Sequence, residues 1–239
     1  MTDVPQAVGR LVAAPLSALA RWRGGKPMHP RGAVFDAVVE RHGGDIPWGV
    51  PWLDAAGTDA AVVRLSRGAG LPARLPDLLG LAVRLLPEGA PVDLLLSSTG
   101  SGPLSRFLPR PRMDAAAVYT SIMGYRSEAG VLRFAAFPQN DDVPSDAEPL
   151  ATAVAGESLR FTLAAARGVG RWRPFARLTL TSSAEPLDPD VRFDAVLHAP
   201  PGLVADGPMA RFRAPAYAGA RKARRPDTGA APGRRAQSS

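Results

Sequence analysis

Short apolar runs alternate with turn signals along most of the chain. The runs 33–40 (AVFDAVVE), 60–66 (AAVVRLS), 79–86 (LGLAVRLL) and 92–97 (VDLLLS) predict four strands, the last two joined by a hairpin at Glu88-Gly89. Residues 98–114 are rich in Ser, Gly, Pro and Arg and predict a loop, with a turn of helix near 104–108. Strands at 118–125 and 131–137 flank a second hairpin signal at 127–130, and 139–149 is an acidic, polar loop. Three more strands are predicted at 158–166, 175–181 and 191–197, before Pro200-Pro201-Gly202 breaks the chain. Eight or nine short strands in hairpin sequence imply a mainly β, antiparallel α+β fold, and closure into a barrel removes its edges.

Helical spacing appears only near the ends. Val8, Leu11, Val12, Leu16, Leu19 and Ala20 predict an amphipathic N-terminal helix over 1–24, interrupted by Pro15. Residues 214–225 predict a second helix, and 226–239 a disordered basic tail, so that the folded domain is 25–225. Trp48 and Trp52, set among prolines, are expected to cap one barrel end, and His42 and His198 to be turn residues.

The 239 residues contain no cysteine, which excludes disulfides, thiolate metal sites and cysteine nucleophiles. Three histidines, His29, His42 and His198, are too few for a multi-histidine metal centre. The formal charge is +7, but 221–239 holds six basic residues against one acidic, leaving 1–220 with 23 basic against 21 acidic. Basicity is a property of the tail, so nucleic acid is not the expected partner. No run reaches the roughly 20 apolar residues of a spanning helix, and the start is a poor signal peptide, which leads to an expectation of a cytoplasmic protein.

Candidate chemistry lies in three places. His29 precedes the first strand, and Ser66 ends the second, where its hydroxyl could orient an imidazole through Nδ1. Arg213, Tyr217, Arg221 and Arg224 share one face of the predicted C-terminal helix. Cations beside a phenol favour the phenolate, and a phenolate is a hard ligand for ferric iron. The stretch 97–102 (SSTGSG) could cradle a phosphate, but it lacks a P-loop lysine and any adjacent nucleophile–base pair.

Taken in order, these stretches resemble the catalase superfamily. His29-Pro30-Arg31-Gly32 is similar to the family's H-x-K-G, and Val63-Arg64-Leu65-Ser66 to its V-R-F-S. Residues 77–85 (DLLGLAVRL) resemble D-x-R-G-F-A-V-K-F, 93–99 (DLLLSST) resemble D-L-V-G-N-N-T, and 118–134 resemble the later hairpin. Phe193-Asp194, Pro200-Pro201-Gly202 and the spacing Arg213…Tyr217…Arg224 resemble the closing block. The resemblance implies an eight-stranded catalase-like barrel with a C-terminal haem-ligand helix, binding haem b.

It further implies that Tyr217 is the axial iron ligand and that Arg213 holds it as phenolate. His29 would be the distal acid/base and Ser66 its orienting partner, with Arg64 and Arg224 on haem propionates. Arg221 stands where the family often has His, and Lys26 where it has a propionate-side Arg. The family's distal Asn falls at Ser97 or Ser98, and Asn140, the chain's single Asn, lies in a loop. The aromatics that follow that Asn have no counterpart in 101–105, and the segment to the next hairpin is short. These departures imply weak or no catalase activity. The expected function is a peroxidase-like oxidoreductase acting on organic hydroperoxides or hydrogen peroxide, with a small-molecule reductant, as a monomer or homodimer. The alternatives are a non-enzymatic haem carrier or sensor, a haem-less barrel, or a phosphodiesterase-type hydrolase.

Overall fold

The structure is a computed structural model, and it describes residues 29–206. The helices expected over 1–24 and 214–225 and the tail 226–239 lie outside the described residues, as do Lys26, Arg213, Tyr217, Arg221 and Arg224.

Strands β1 (Arg31–Arg41), β2 (Gly57–Arg67), β3 (Leu79–Leu85) and β4 (Val92–Ser98) form an antiparallel meander. β5 (Tyr119–Thr120) joins β4 to β7 (Gly130–Pro138), while β6 (Gly124–Ser127) and β10 (Val204–Asp206) add an annex on β7. β8 (Arg160–Arg167) pairs with β7 on one side and with β9 (Arg173–Ser183) on the other, and β9 returns to β1. The ring β1-β2-β3-β4-β5-β7-β8-β9 is therefore a closed antiparallel barrel of eight strands. Closure leaves none of these eight as an edge.

Alternation fixes which face each residue takes. Ala33, Phe35, Ala37 and Val39 of β1, Val63 and Leu65 of β2, and Leu81 and Val83 of β3 enter one buried cluster. Phe134, Phe161 and Phe175 fill its centre, with Phe134 and Phe175 5.9 Å apart and tilted edge-on. Trp52 closes the cluster against both rings, at 6.2 and 5.8 Å. Trp48 is 1% exposed, so both tryptophans cap the barrel as the sequence predicts.

Three expectations are corrected. Residues 118–125 are not one strand: Ile122 has φ 41°, and Ser121 Oγ accepts from Phe134 N (3.2 Å) and donates to Met123 O (2.7 Å) where ladder bonds would run. Residues 191–197 are not a strand. Asp194 Oδ1 accepts from Val196 N and Leu197 N, an Asx turn that uses amides a ladder needs. Between β7 and β8 the chain forms a helix not expected from sequence, Ala147–Gly156, which packs Leu150 and Val154 inward. Helix α1 (Pro51–Asp54) is a single turn, α2 is this longer one, and Ser105–Phe107 is the predicted turn of helix in the 98–114 loop.

Candidate functional site

Because the interior is filled, chemistry falls to the outer wall. The residues opposite the core face on β1–β4 form three cross-strand rows. The first is Gly32, Ser66, Gly80 and Ser97, with Thr120 of β5 next in register. The second is Val34, Arg64, Ala82 and Leu95, and the third is Asp36, Val62, Arg84 and Asp93.

His29 lies against the first row. Its Nδ1 is 2.9 Å from Ser66 Oγ. The ring rests over Gly80: a Cβ there would sit 2.6 Å from His29 Cε1, 2.9 Å from Nδ1 and 3.1 Å from Ser66 Oγ. Only a residue without a side chain permits that approach. His29 has φ 57°, a region that costs a non-glycine residue about 1 kcal/mol or more, and Pro30 follows it. The surroundings hold it there. Its amide donates to Gly68 O (2.8 Å) and its carbonyl accepts from Arg64 Nη2 (3.1 Å). The Gly80 carbonyl, 3.5 Å from Ser66 Oγ, is the acceptor toward which the hydroxyl can turn its proton. In that arrangement Ser66 accepts Nδ1–H, and Nε2 carries the lone pair that can take a proton.

Arg64 is 7% exposed and is forked onto Asp188, Nε to Oδ1 at 2.7 Å and Nη2 to Oδ2 at 2.8 Å. Its Nη1 makes no hydrogen bond among the described residues. Ser97 is half-buried on the same row as Ser66 and Gly80. Ser98 faces the other way, fully buried, where its hydroxyl accepts from Leu79 N (3.0 Å) and donates to Arg110 O (2.8 Å). Of the two serines only Ser97 stands beside the imidazole row. His29, Ser66, Arg64 and Ser97 are thus brought to one wall, and Ser98 is not.

The 97–102 stretch offers no anion nest. Gly102 N donates to Ser105 Oγ (3.0 Å) and Gly100 N to Ser105 O (3.1 Å). His198 is a turn residue, and its Nδ1 lies 2.9 Å from Asp93 Oδ2. Asp93 is fully buried, forked by Arg84 Nε and Nη2 at 2.7 Å each and by Asp194 N at 2.7 Å. That bond to Asp93 holds the Arg84 guanidinium above its ordinary pKa, against burial. Among the described residues no group of three or more His, Asp or Glu could hold a metal ion.

The fold has a solved counterpart: catalase A from Saccharomyces cerevisiae superposes with a TM-score of 0.61 at 11% identity. The chain has a catalase-like fold. The match covers 82% of this chain and 60% of that one, so this catalase-like barrel spans less than two thirds of that catalase. No protein-family model and no curated protein sequence matches the chain. No helix of the described residues is long and apolar enough to cross a membrane.

Sequence reasoning gave no role to Gly32, Gly80 or Asp188. Gly32 and Gly80 matter because strand pairing sets them beside Arg64 and Ser66, and pairing is not visible along a single chain. Asp188 had no signal beyond being one acid in a polar connection.

Proposed function

We propose that this catalase-like barrel is a haem-dependent, peroxidase-like oxidoreductase that acts on organic hydroperoxides or hydrogen peroxide with weak or no catalase activity. The observation that carries the reading is the His29–Ser66 pair, 2.9 Å apart and laid over Gly80, on a cross-strand row whose other members are Gly32 and Ser97. The donor set fits haem on this side. The row Gly32, Ser66, Gly80 and Ser97 leaves a low wall for a flat ring, and Arg64 Nη1 remains for a propionate. Tyr217, supported by Arg213, would hold the iron through its phenolate, with Lys26, Arg221 and Arg224 as further propionate cations.

Bound haem would supply the iron centre at which a peroxide O–O bond is cleaved. His29 Nε2 takes the proton of the hydroperoxide and returns it to the departing oxygen, which leaves as alcohol or water. Ser66 fixes the ring plane and the tautomer through Nδ1. Ser97 offers one hydroxyl where a carboxamide would offer both a donor and an acceptor arm, so a second peroxide is poorly oriented and an external reductant closes the cycle. Leu104, Leu108 and Met113, exposed by 76%, 61% and 52%, sit on the loop leaving that row and suit the organic part of a hydroperoxide.

The test is the visible spectrum of the full chain reconstituted with haemin, beside Tyr217→Phe, with hydroperoxide-dependent oxidation of a dye as the rate. The wild type is expected to give a high-spin ferric tyrosinate spectrum and turnover, and the variant to lose both. Identical spectra would remove Tyr217 as ligand. A tyrosinate spectrum without dye oxidation would favour a haem carrier, and a colourless wild type would end the reading.

A further inference from the structure

We propose that Asp188 is a positioning residue for His29, acting through Arg64, with Gly32 supplying the space this relay needs. The inference rests on the reading of His29 as the acid/base, and it adds a residue that the resemblance does not use.

The guanidinium of Arg64 is planar, and its fork geometry sets where the remaining N–H groups point. Asp188 takes Nε and one proton of Nη2, at 2.7 and 2.8 Å. The other proton of Nη2 then falls on the His29 carbonyl at 3.1 Å. A carboxylate from 124 residues further along the chain thus decides the aim of a donor on the peptide that carries the imidazole. Gly32 completes the arrangement. A Cβ at this position would lie 2.6 Å from Leu65 O and 2.9 Å from both Arg64 Cζ and Nη2, so a larger residue presses on the β2 backbone and on the guanidinium together.

The His29 backbone needs such a clamp. At φ 57° ahead of a proline it is in a conformation that the local chain disfavours, and it persists only while its surroundings over-determine it. The peptide itself is held by Gly68 O on the amide and by Arg64 Nη2 on the carbonyl. Losing the second releases the peptide to relax, and the imidazole moves with it off Ser66.

Asp188 is itself held. It lies in a connection that crosses the outer wall and is tied further along to β3 and β4: Arg84 Nη2 donates to Arg192 O (2.6 Å), and Asp194 N donates to Asp93 Oδ2 (2.7 Å). The side chain of Asp188 is 26% exposed against 8% for Arg64, so the carboxylate can be replaced without opening a cavity in the core.

The experiment compares the full chain with Asp188→Ala, Asp188→Asn and the conservative Asp188→Glu. Amide hydrogen exchange at His29 reads the clamp without any cofactor, and hydroperoxide turnover of the haemin-loaded protein reads its consequence. The expected result is roughly tenfold faster exchange at His29 in Asp188→Ala and Asp188→Asn, with Leu81 and Leu94 amides unchanged, because a lost local contact opens a local unit only. Turnover falls by about the same factor at an unchanged haem spectrum, and Asp188→Glu recovers part of both. Unchanged exchange at His29 in all variants would overturn the relay even if the wild type turns over. Faster exchange together with an inactive or haem-free wild type would overturn its catalytic purpose and the functional reading, leaving the clamp as a structural device.

Discussion

Replacing Gly80 by Ala tests the candidate site with the smallest possible change. The new methyl would start 2.6 Å from His29 Cε1 and 2.9 Å from Nδ1. Ordinary carbon contacts lie near 3.5–4.0 Å, so the ring must retreat by about 1 Å. Its bond to Ser66, 2.9 Å in the native wall, then stretches past the limit of a hydrogen bond. The loss is about 1 kcal/mol for that bond, offset by roughly 0.5–1 kcal/mol from removing a glycine from a strand interior. Global stability should therefore change by no more than about 1 kcal/mol, a shift of about 2–4 °C in Tm for a chain of this size. Catalysis responds differently, because a misplacement of about 1 Å in a reacting group can cost on the order of 100-fold. The assay is hydroperoxide-driven dye oxidation by haemin-loaded protein, with thermal melts alongside. A variant that keeps wild-type turnover at wild-type Tm would refute the claim that the imidazole is confined against Gly80. A variant that loses both equally would show a folding defect instead.

Two further outcomes concern the body of the fold. Asp93→Asn leaves Arg84 and His198 facing a neutral, buried amide, and urea denaturation should show a loss of about 3 kcal/mol, the cost of breaking a buried ion pair from one side. Burial pushes the Tyr119 phenol far above its ordinary pKa, with Asp114 adding to the shift, and its hydroxyl donates to Ala115 O at 2.8 Å. Its folded pKa exceeds the unfolded value of about 10, so its contribution is complete below that pH and is lost as pH rises above it. Tyrosinate absorbance should show Tyr119 ionising only together with alkaline unfolding, and a smooth titration near its ordinary value in folded protein would contradict this.

Most of the barrel was legible because its strands carry the period-two signal and the turns between them carry Gly and Pro. β1 to β4 and β7 to β9 fall where the alternation put them. Two of the failures come from side chains doing work that local patterning assigns to the backbone, and the third from a weak apolar face. Ser121 replaces ladder bonds between β5 and β6, Asp194 turns the chain in 191–197, and α2 shows only the pair Leu150 and Val154 as its apolar face. The His29–Ser66 contact was legible through the resemblance, whose ordered motifs pair a histidine ahead of the first strand with a serine at the end of the second. Whether Ser97 or Ser98 joins them was not, because a one-residue change in register inverts every side chain along β4. Pairing Gly80 with Ser97 decides it.

The location of the candidate site follows from the interior rather than from the site residues. Eight strands enclose a space just wide enough for side chains to fill, and here three phenylalanines and Trp52 fill it. No ligand the size of a porphyrin can enter without removing several of them, at roughly 3–5 kcal/mol each. Polar chemistry is thereby displaced to the outward-facing positions of β1–β4, the one wall where buried Arg64, Ser66 and Asp93 cluster against the β9–β10 connection. An outer wall is only half a pocket. A flat group laid on the Gly32, Ser66, Gly80 and Ser97 row would need a cover on its other face. On the proposed reading that cover would carry Arg213, Tyr217, Arg221 and Arg224, where cations beside a phenol would favour the phenolate.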